Sequence, residues 1–328
     1  MILCAVQMHW DIRDYRSPQA FEEKIGSIME QIRKTADWDE ELLVAFPEYV
    51  GTPLAFMKSY EAVKDVKTLQ DAVRILIKRN LFKILFIRLR YRVGWFRALA
   101  LATAKDTARV YTDTFSRMAK SFRATIMAGS VLLPDFNWNP DIKKTDCRIP
   151  DRNIYNIAFL FGEEGNLAGI QKKAHLVPGL EDKGGFDLSE GKIDDLKVFD
   201  TPAGKVGIAV CLDCFKEPVV KALAEKGAKI LIQPSANCKI WDKEEQQGWM
   251  EGCKKAMDTE KTFVYALNPM MTGCLFDLCF EGQSSIMTNV LSDFGEIGYK
   301  DLAPTVGFVK IASSPTQEEI LMARKKTI

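Results

Sequence analysis

Histidine is almost missing from this chain: of 328 residues, two are histidine, His9 and His175. That scarcity excludes multi-histidine metal sites and leaves little room for a histidine-centred triad. Strong charge of either sign is also missing, since 45 Lys plus Arg face 44 Asp plus Glu for a net charge of +1. A near-neutral chain lacks the electrostatic footprint of a nucleic-acid binder, so no nucleic-acid partner is expected. The opening stretch MILCAVQMHWDIRDY shows no basic n-region, long apolar segment or small-residue cleavage site. A cytoplasmic location is therefore expected, with the eight irregularly placed cysteines as free thiols. What is present, 47% hydrophobic and 27% charged residues, suits a globular protein with a substantial core and excludes disorder, collagen and a disulfide miniprotein.

Apolar runs alternate with helical patterns. Residues Ile2–Met8 read as a buried strand, Pro18–Trp38 as a helix capped by Ser17, and Glu41–Phe46 as a second strand ending in Pro47-Glu48. Asp106–Phe122 reads as a helix and Ala124–Leu133 as a strand. Two hairpins follow, Ile154–Phe161 with Leu167–Lys172 around GEEGN, and Leu196–Phe199 with Lys205–Val210 around TPAG. Beyond them come a helix at Pro218–Lys226, a strand at Ala228–Gln233 and one longer helix at Lys243–Thr259. Further strands lie at Thr262–Leu267, Ser284–Thr288 and Thr305–Ile311. This mixture predicts an α/β layered fold with mixed sheets.

One region departs from the pattern. From Ala72 to Lys105 there is no acidic residue but nine basic ones, so the rest of the chain carries −8. Its longest uncharged run is seven residues (98–104), against the roughly 20 that span a bilayer. The basic residues fall on nearly opposite sides of a helix, leaving no single polar face. Either this is a helical insertion whose apolar residues pack on the body while its arginines remain solvated, or it lies on an anionic membrane surface, docks onto a partner or forms a lid.

Three segments carry candidate chemistry. In Lys205–Pro218 (KVGIAVCLDCFKEP), a buried strand runs into Cys211 shortly before a helix. This places the sulfur, expected to be exposed, at a tight bend where a helix N-terminus lowers a thiol pKa. A buried core cysteine is the plainer alternative, and Cys211-Leu-Asp-Cys214 also admits metal or redox chemistry. A base is supplied either by His175, as in papain-like enzymes, or by Glu48. Glu48 closes LLVAFPE at the edge of the core, where burial raises a carboxyl pKa toward neutrality. Lys173, in QKKAHLVPG, ends a hairpin strand. By itself it is a surface lysine; beside a thiol it favours thiolate and stabilises an oxyanion.

With AFPE (45–48), KAHL (173–176) and CLD (211–213) in this order, flanked by both hairpins, ILIQPSAN and EGQSSI, the sequence resembles the nitrilase superfamily of carbon–nitrogen hydrolases. The resemblance covers most of 1–55 and 106–311. It implies an αββα sandwich that dimerises through its helical faces, formed by one domain over 1–328 with a basic, apolar-rich insertion at 60–105. It implies Glu48 as general base, Lys173 as stabiliser of the tetrahedral intermediate and Cys211 as nucleophile. The backbone N–H of Leu212 then completes the oxyanion hole, Glu181 positions substrate and water, and His175 is structural. Neither metal nor organic cofactor is implied. The implied activity is amidase-type hydrolysis of a non-peptide small-molecule amide through a cysteine thioester, on a substrate that the basic block suggests is hydrophobic or membrane-presented. An N-acyltransferase using the same thioester and a non-catalytic scaffold on this fold are the alternatives. The chain departs from the family pattern in having Phe215-Lys216-Glu217 where FPE is common, and in the length of the basic block.

Overall fold

The computed structural model describes residues 1–290 and 296–325. Strand Ile2–Trp10 is the hub of a nine-stranded sheet. It pairs in parallel with Leu42–Ala45 and Met270–Leu275, and antiparallel with Glu319–Arg324. The sheet continues through Ala124–Leu133 into the hairpin Tyr155–Phe161 and Leu167–Lys172. A six-stranded sheet runs from the hairpin Val198–Thr201 and Gly204–Ile208 through Ile230–Ile232, Tyr265–Asn268 and Ser285–Thr288 to Phe308–Ile311.

Side-chain alternation sets the layers. From the first strand, Cys4, Val6 and Met8 face a core shared with the helices Pro18–Thr35 and Trp95–Ser121. Leu3 and Ala5 face the other way, into a core built with Val206, Ile208, Ile230 and Ile232 of the second sheet. The helices Glu217–Glu225 and Lys255–Thr259 close that second sheet with Val219, Leu223, Ala256 and Met257. The order is helix, sheet, sheet, helix: the expected αββα sandwich. Strands covered on both faces need continuous apolar runs, and so these runs were readable.

Local chemistry explains the first helix well. Ser17 Oγ accepts the Ala20 N–H at 3.1 Å, Pro18 opens the first turn, and Phe21, Ile25, Ile28, Met29 and Ile32 form its buried stripe. Lys243–Thr259 differs from the single helix expected. It is helical over Lys243–Trp249, widens into a π turn at Met250–Lys254 where Gly252 leaves helical geometry (φ −85°, ψ −124°), and resumes at Lys255–Thr259. The break lets the Cys253 N–H donate to the buried Gln233 Oε1 at 3.0 Å, a bond a regular helix would have used internally.

The cysteines also differ from expectation. Cys274 and Cys279 sit directly opposite each other on the hairpin of Met270–Leu275 with Leu278–Phe280, and they form a disulfide. The basic block folds as helices Leu69–Arg79 and Leu81–Tyr91 and, after a short joint at 92–94, as the first turns of Trp95–Ser121, so position 105 lies inside one helix. Its apolar residues do not all pack on the body: Ile84 and Ile87 are buried, but Phe82 is 90% exposed. Among the described residues, no helix is long and apolar enough to cross a membrane.

A bulge in strand Ala124–Leu133 prepares the site. Gly129 has φ +71°, and a Cβ there would stand 2.0 Å from the Pro47 carbonyl oxygen. The Pro47–Tyr49 turn therefore presses directly on the strand, and Ser130 Oγ accepts the Tyr49 N–H at 2.9 Å. Gly129→Ala is expected to lower unfolding free energy by about 2 kcal/mol or more, through a backbone clash and a left-handed φ. Urea unfolding checks this, and an unchanged midpoint would remove the bulge from the account.

Candidate functional site

Four side chains from distant parts of the sequence meet between the sheets. Lys173, fully buried just past the strand Leu167–Lys172, places its Nζ 2.8 Å from Glu48 Oε1 and 2.6 Å from Glu181 Oε2. Glu48 and the Cys211 thiol act on each other electrostatically as well. The solvated positions that a strand-end glutamate or lysine usually takes do not apply here: Glu48, Lys173 and Glu181 are each at most 1% exposed.

Cys211 follows the strand Gly204–Ile208 at a sharp turn in the left-handed region, φ +49°, and opens the short 3₁₀ turn Cys211–Phe215. A non-glycine residue held there stores strain of roughly 1–3 kcal/mol. The turn is overdetermined by its neighbours: the Cys211 N–H donates to the Pro234 carbonyl at 2.9 Å, and Gln233 Nε2 donates to the Cys211 carbonyl at 3.2 Å. Gln233 thus links the Cys211 turn to the broken helix through the Cys253 amide. The exposed sulfur expected from the sequence is not seen, because Cys211 is buried at 6% exposure. Nor is its pKa lowered. Burial and the Glu48 charge push the thiol well up, against a smaller opposing pull from Lys173 and the Ala236 N–H. A five-residue 3₁₀ turn offers too few aligned peptides to outweigh that desolvation.

The two carboxylates are driven apart. Burial raises Glu48 to about 7, Lys173 pulls it down in part, and Glu181 pushes it up further. Glu181 is also desolvated, but Lys173 at 2.6 Å, the Tyr49 hydroxyl donating at 2.6 Å and the Val177 N–H donating at 2.9 Å outweigh that and lower its pKa. Lys173 is penalised by burial, yet Glu48, Cys211 and Glu181 more than compensate and keep it protonated. One carboxyl is thus poised to exchange a proton near neutrality and the other stays ionised.

Sequence reasoning missed three contributors. Asn156 Nδ2 donates to Glu48 Oε1 at 2.8 Å and to Glu181 Oε1 at 2.9 Å, tying the carboxylates together. Its signal was a polar residue inside the apolar run YNIAFLF. Tyr49 follows AFPE directly, and only the fold shows that it reaches Glu181. Asp213, buried, accepts the Ala174 N–H at 2.9 Å and the His175 N–H at 2.8 Å, so the segment after Lys173 is tied to the Cys211 turn. His175 Nδ1 lies 3.0 Å from Asp213 Oδ1 as well, which gives this histidine a bracing contact. Cys214 faces Cys253, with sulfurs 3.8 Å apart.

Beside this cluster is an apolar cavity of about 60 Å³, walled by Trp10, Phe56, Leu76, Phe96, Leu99 and Phe186. Tyr49 joins the two, since its ring lines the cavity and its hydroxyl is bonded to Glu181. The basic block supplies part of the wall and also fixes the loop bearing Glu181. Phe96 stacks on Phe186 at 5.0 Å between centroids, and the Arg97 guanidinium donates to the Asp187 and Leu188 carbonyls.

The carbon-nitrogen hydrolase family matches residues 3–287, and the chain belongs to that family. Within it, an omega-amidase of Xenopus laevis, NIT2-A, is 32% identical over 130 residues, which cover 38% of this chain and 41% of that protein. The chain spans about half or less of the length of the first curated relatives it matches. Among solved structures, Saccharomyces cerevisiae Nit3, a member of branch 10 of the nitrilase superfamily, aligns with a TM-score of 0.59 at 18% identity, covering 98% of this chain and 89% of that one. The amidase from Nesterenkonia sp. AN1, in an E41Q mutant showing the result of Michael addition of acrylamide at the active site cysteine, aligns with a TM-score of 0.57 at 15% identity, covering 96% of this chain and 94% of that one. These likenesses establish the sandwich fold.

Because Glu48 holds its proton more tightly in the folded than in the unfolded chain, its contribution to stability is fully present below about 4.5 and is lost as pH rises through about 7. Across that window the native chain should lose about 3 kcal/mol relative to Glu48→Gln, which takes up no proton. Urea unfolding of both at stepped pH is the check; parallel curves would contradict the assignment.

Proposed function

We propose that this protein is a cysteine-dependent amidase that cleaves a non-peptide amide carrying an apolar group. The observation that carries the reading is the meeting of two buried carboxylates on one ammonium, with Lys173 Nζ 2.8 Å from Glu48 and 2.6 Å from Glu181, beside a strained cysteine whose thiol interacts with Glu48.

The charge balance explains how a thiol with a raised pKa can act. Lys173 with both glutamates ionised sums to −1, so a thiolate alone would add a second negative charge to a buried site. Transfer of the Cys211 proton to Glu48 moves that charge instead of creating one. The sulfur then adds to the amide carbonyl carbon. Lys173 has three N–H donors and two carboxylate partners, which leaves one donor for the developing oxyanion beside the Leu212 amide. Glu48 returns its proton to the departing nitrogen; the C–N bond breaks, and ammonia or an amine leaves a thioester. Water then loses a proton to Glu48 and attacks the thioester carbon. The sulfur departs, recovers the proton as a thiol, and the carboxylic acid is released. Glu181 and Asn156 orient Glu48, and Glu181 remains ionised to hold Lys173 in place.

The apolar cavity supports an apolar substituent on the substrate, because a short chain held there leaves its amide near Tyr49 and the cluster. Intact-mass measurement after exposure to primary amides should show an acyl adduct on Cys211 that is absent in Cys211→Ala. The kcat/KM profile should rise with an acid limb near pH 7, and Glu48→Gln should lose at least about 10³-fold. Absence of any adduct across short and long amides would end the enzymatic reading. A filled cavity in Ala100→Phe should cut kcat/KM for a long-chain amide more than about tenfold and spare acetamide; equal losses would remove the cavity from substrate selection.

A further inference from the structure

The helix Leu81–Tyr91 carries two apolar stripes. Ile84 and Ile87 form the inner one, buried against the body. On the outer side Leu81, Phe82, Leu85, Phe86 and Leu89 face solvent, with Phe82, Leu89 and Phe86 at 90%, 80% and 65% exposure. At about 100° per residue these five cover an arc of roughly 140°. Lys83 and Arg90 run along one margin of that arc and Arg88 along the other. The opposed basic groups visible in the sequence are therefore two seams that separate an inward from an outward apolar face. Arg88 lies over the ring of the exposed Trp95, 3.8 Å from its centroid, and extends the margin with an aromatic residue.

Charge identifies what can cover this face. Of the nine basic residues in 72–105, Arg74 pairs with Asp71 and Arg97 with Asp187. Among the described residues the other seven have no carboxylate partner. A second copy of the chain is a poor occupant, because a two-fold contact would set a segment without any acidic residue against itself. An apolar face with aromatic side chains, bounded on both sides by cations that no carboxylate neutralises, matches the boundary between anionic headgroups and acyl chains.

We propose that the outer face of Leu81–Tyr91 docks the protein on an anionic lipid surface. Phe82, Phe86 and Leu89 enter the acyl boundary, and Lys78, Arg79, Arg90 and Arg92 meet the headgroups. The inner side of the same appendage walls the apolar cavity through Val73, Leu76, Phe96 and Leu99, so docking brings the cavity close to membrane-borne amphiphiles. The docking itself does not depend on amide hydrolysis and is tested without substrate.

Flotation of the full chain with vesicles of phosphatidylcholine alone, or of phosphatidylcholine and phosphatidylglycerol in roughly equal parts, decides the matter. Recovery is expected with the anionic vesicles and should fall as salt is raised. Phe82→Ser/Phe86→Ser/Leu89→Ser and Arg79→Gln/Arg90→Gln/Arg92→Gln should each weaken binding more than about tenfold. All six side chains lie on the surface, so unchanged thermal melts should show that the fold is intact. Equal or no recovery with the two vesicle types overturns the proposal. So does undiminished binding by the serine variant, or light scattering that shows a self-assembled chain which the serine variant disperses.

Discussion

A buried ammonium held between two buried carboxylates is the constraint on which this molecule turns. Ionised groups removed from water lose several kcal/mol of hydration each, and only close, hydrogen-bonded opposite charges offset that loss. Lys173 therefore binds Glu48 and Glu181 at 2.8 and 2.6 Å, and the three segments that supply them are fixed relative to one another. The arrangement is also uneven: two anions and one cation leave one carboxyl without full compensation. Tyr49 and Val177 place the surplus on Glu48, because their hydroxyl and amide donate to Glu181 alone, whereas Asn156 donates to both carboxylates.

The surrounding fold serves that geometry at two points where regular structure gives way. The Gly129 bulge admits the Pro47 carbonyl and so directs Glu48 inward. The π turn at Gly252 frees the Cys253 amide for Gln233, which also bonds the Cys211 carbonyl. In each case an irregularity in one element fixes a side chain or a turn on another. A uniform strand or helix at either place would leave the chemistry less well positioned.

Much of this was legible in the sequence because burial writes itself into composition. Leu42–Phe46 is apolar throughout, and Ile2–Met8 and Ala124–Leu133 are apolar but for Gln7, Thr125 and Ser130, since both of their faces are covered, and Ser17-Pro18 marks a helix start by local chemistry alone. AFPE (45–48), KAHL (173–176) and CLD (211–213) pointed to Glu48, Lys173 and Cys211, which the fold gathers. The parts that escaped depend on partners far away in the chain. Met270–Leu275 and Glu319–Arg324 become strands by pairing with Ile2–Trp10. Gly252 breaks its helix in favour of Gln233, and the exposure of Phe82 depends on which side of its helix meets the body. The thiol was misjudged for the same reason: its bend and the following turn can be read locally, but the desolvation that raises its pKa comes from the whole sandwich.

The helix Trp95–Ser121 begins in the basic appendage and ends against the sheet. Its 27 residues correspond to a straight rod of about 40 Å. The natural joint lies before it, where Arg92 adopts a left-handed conformation (φ +54°) and Gly94 occupies the N-cap position. A splice made at position 105 would cut the rod in mid-span and strand its first turns, whereas one made at 92–94 would transfer a complete piece. Chimaeras built to move the basic segment should therefore take their breakpoint from that joint, which leaves the core helix whole.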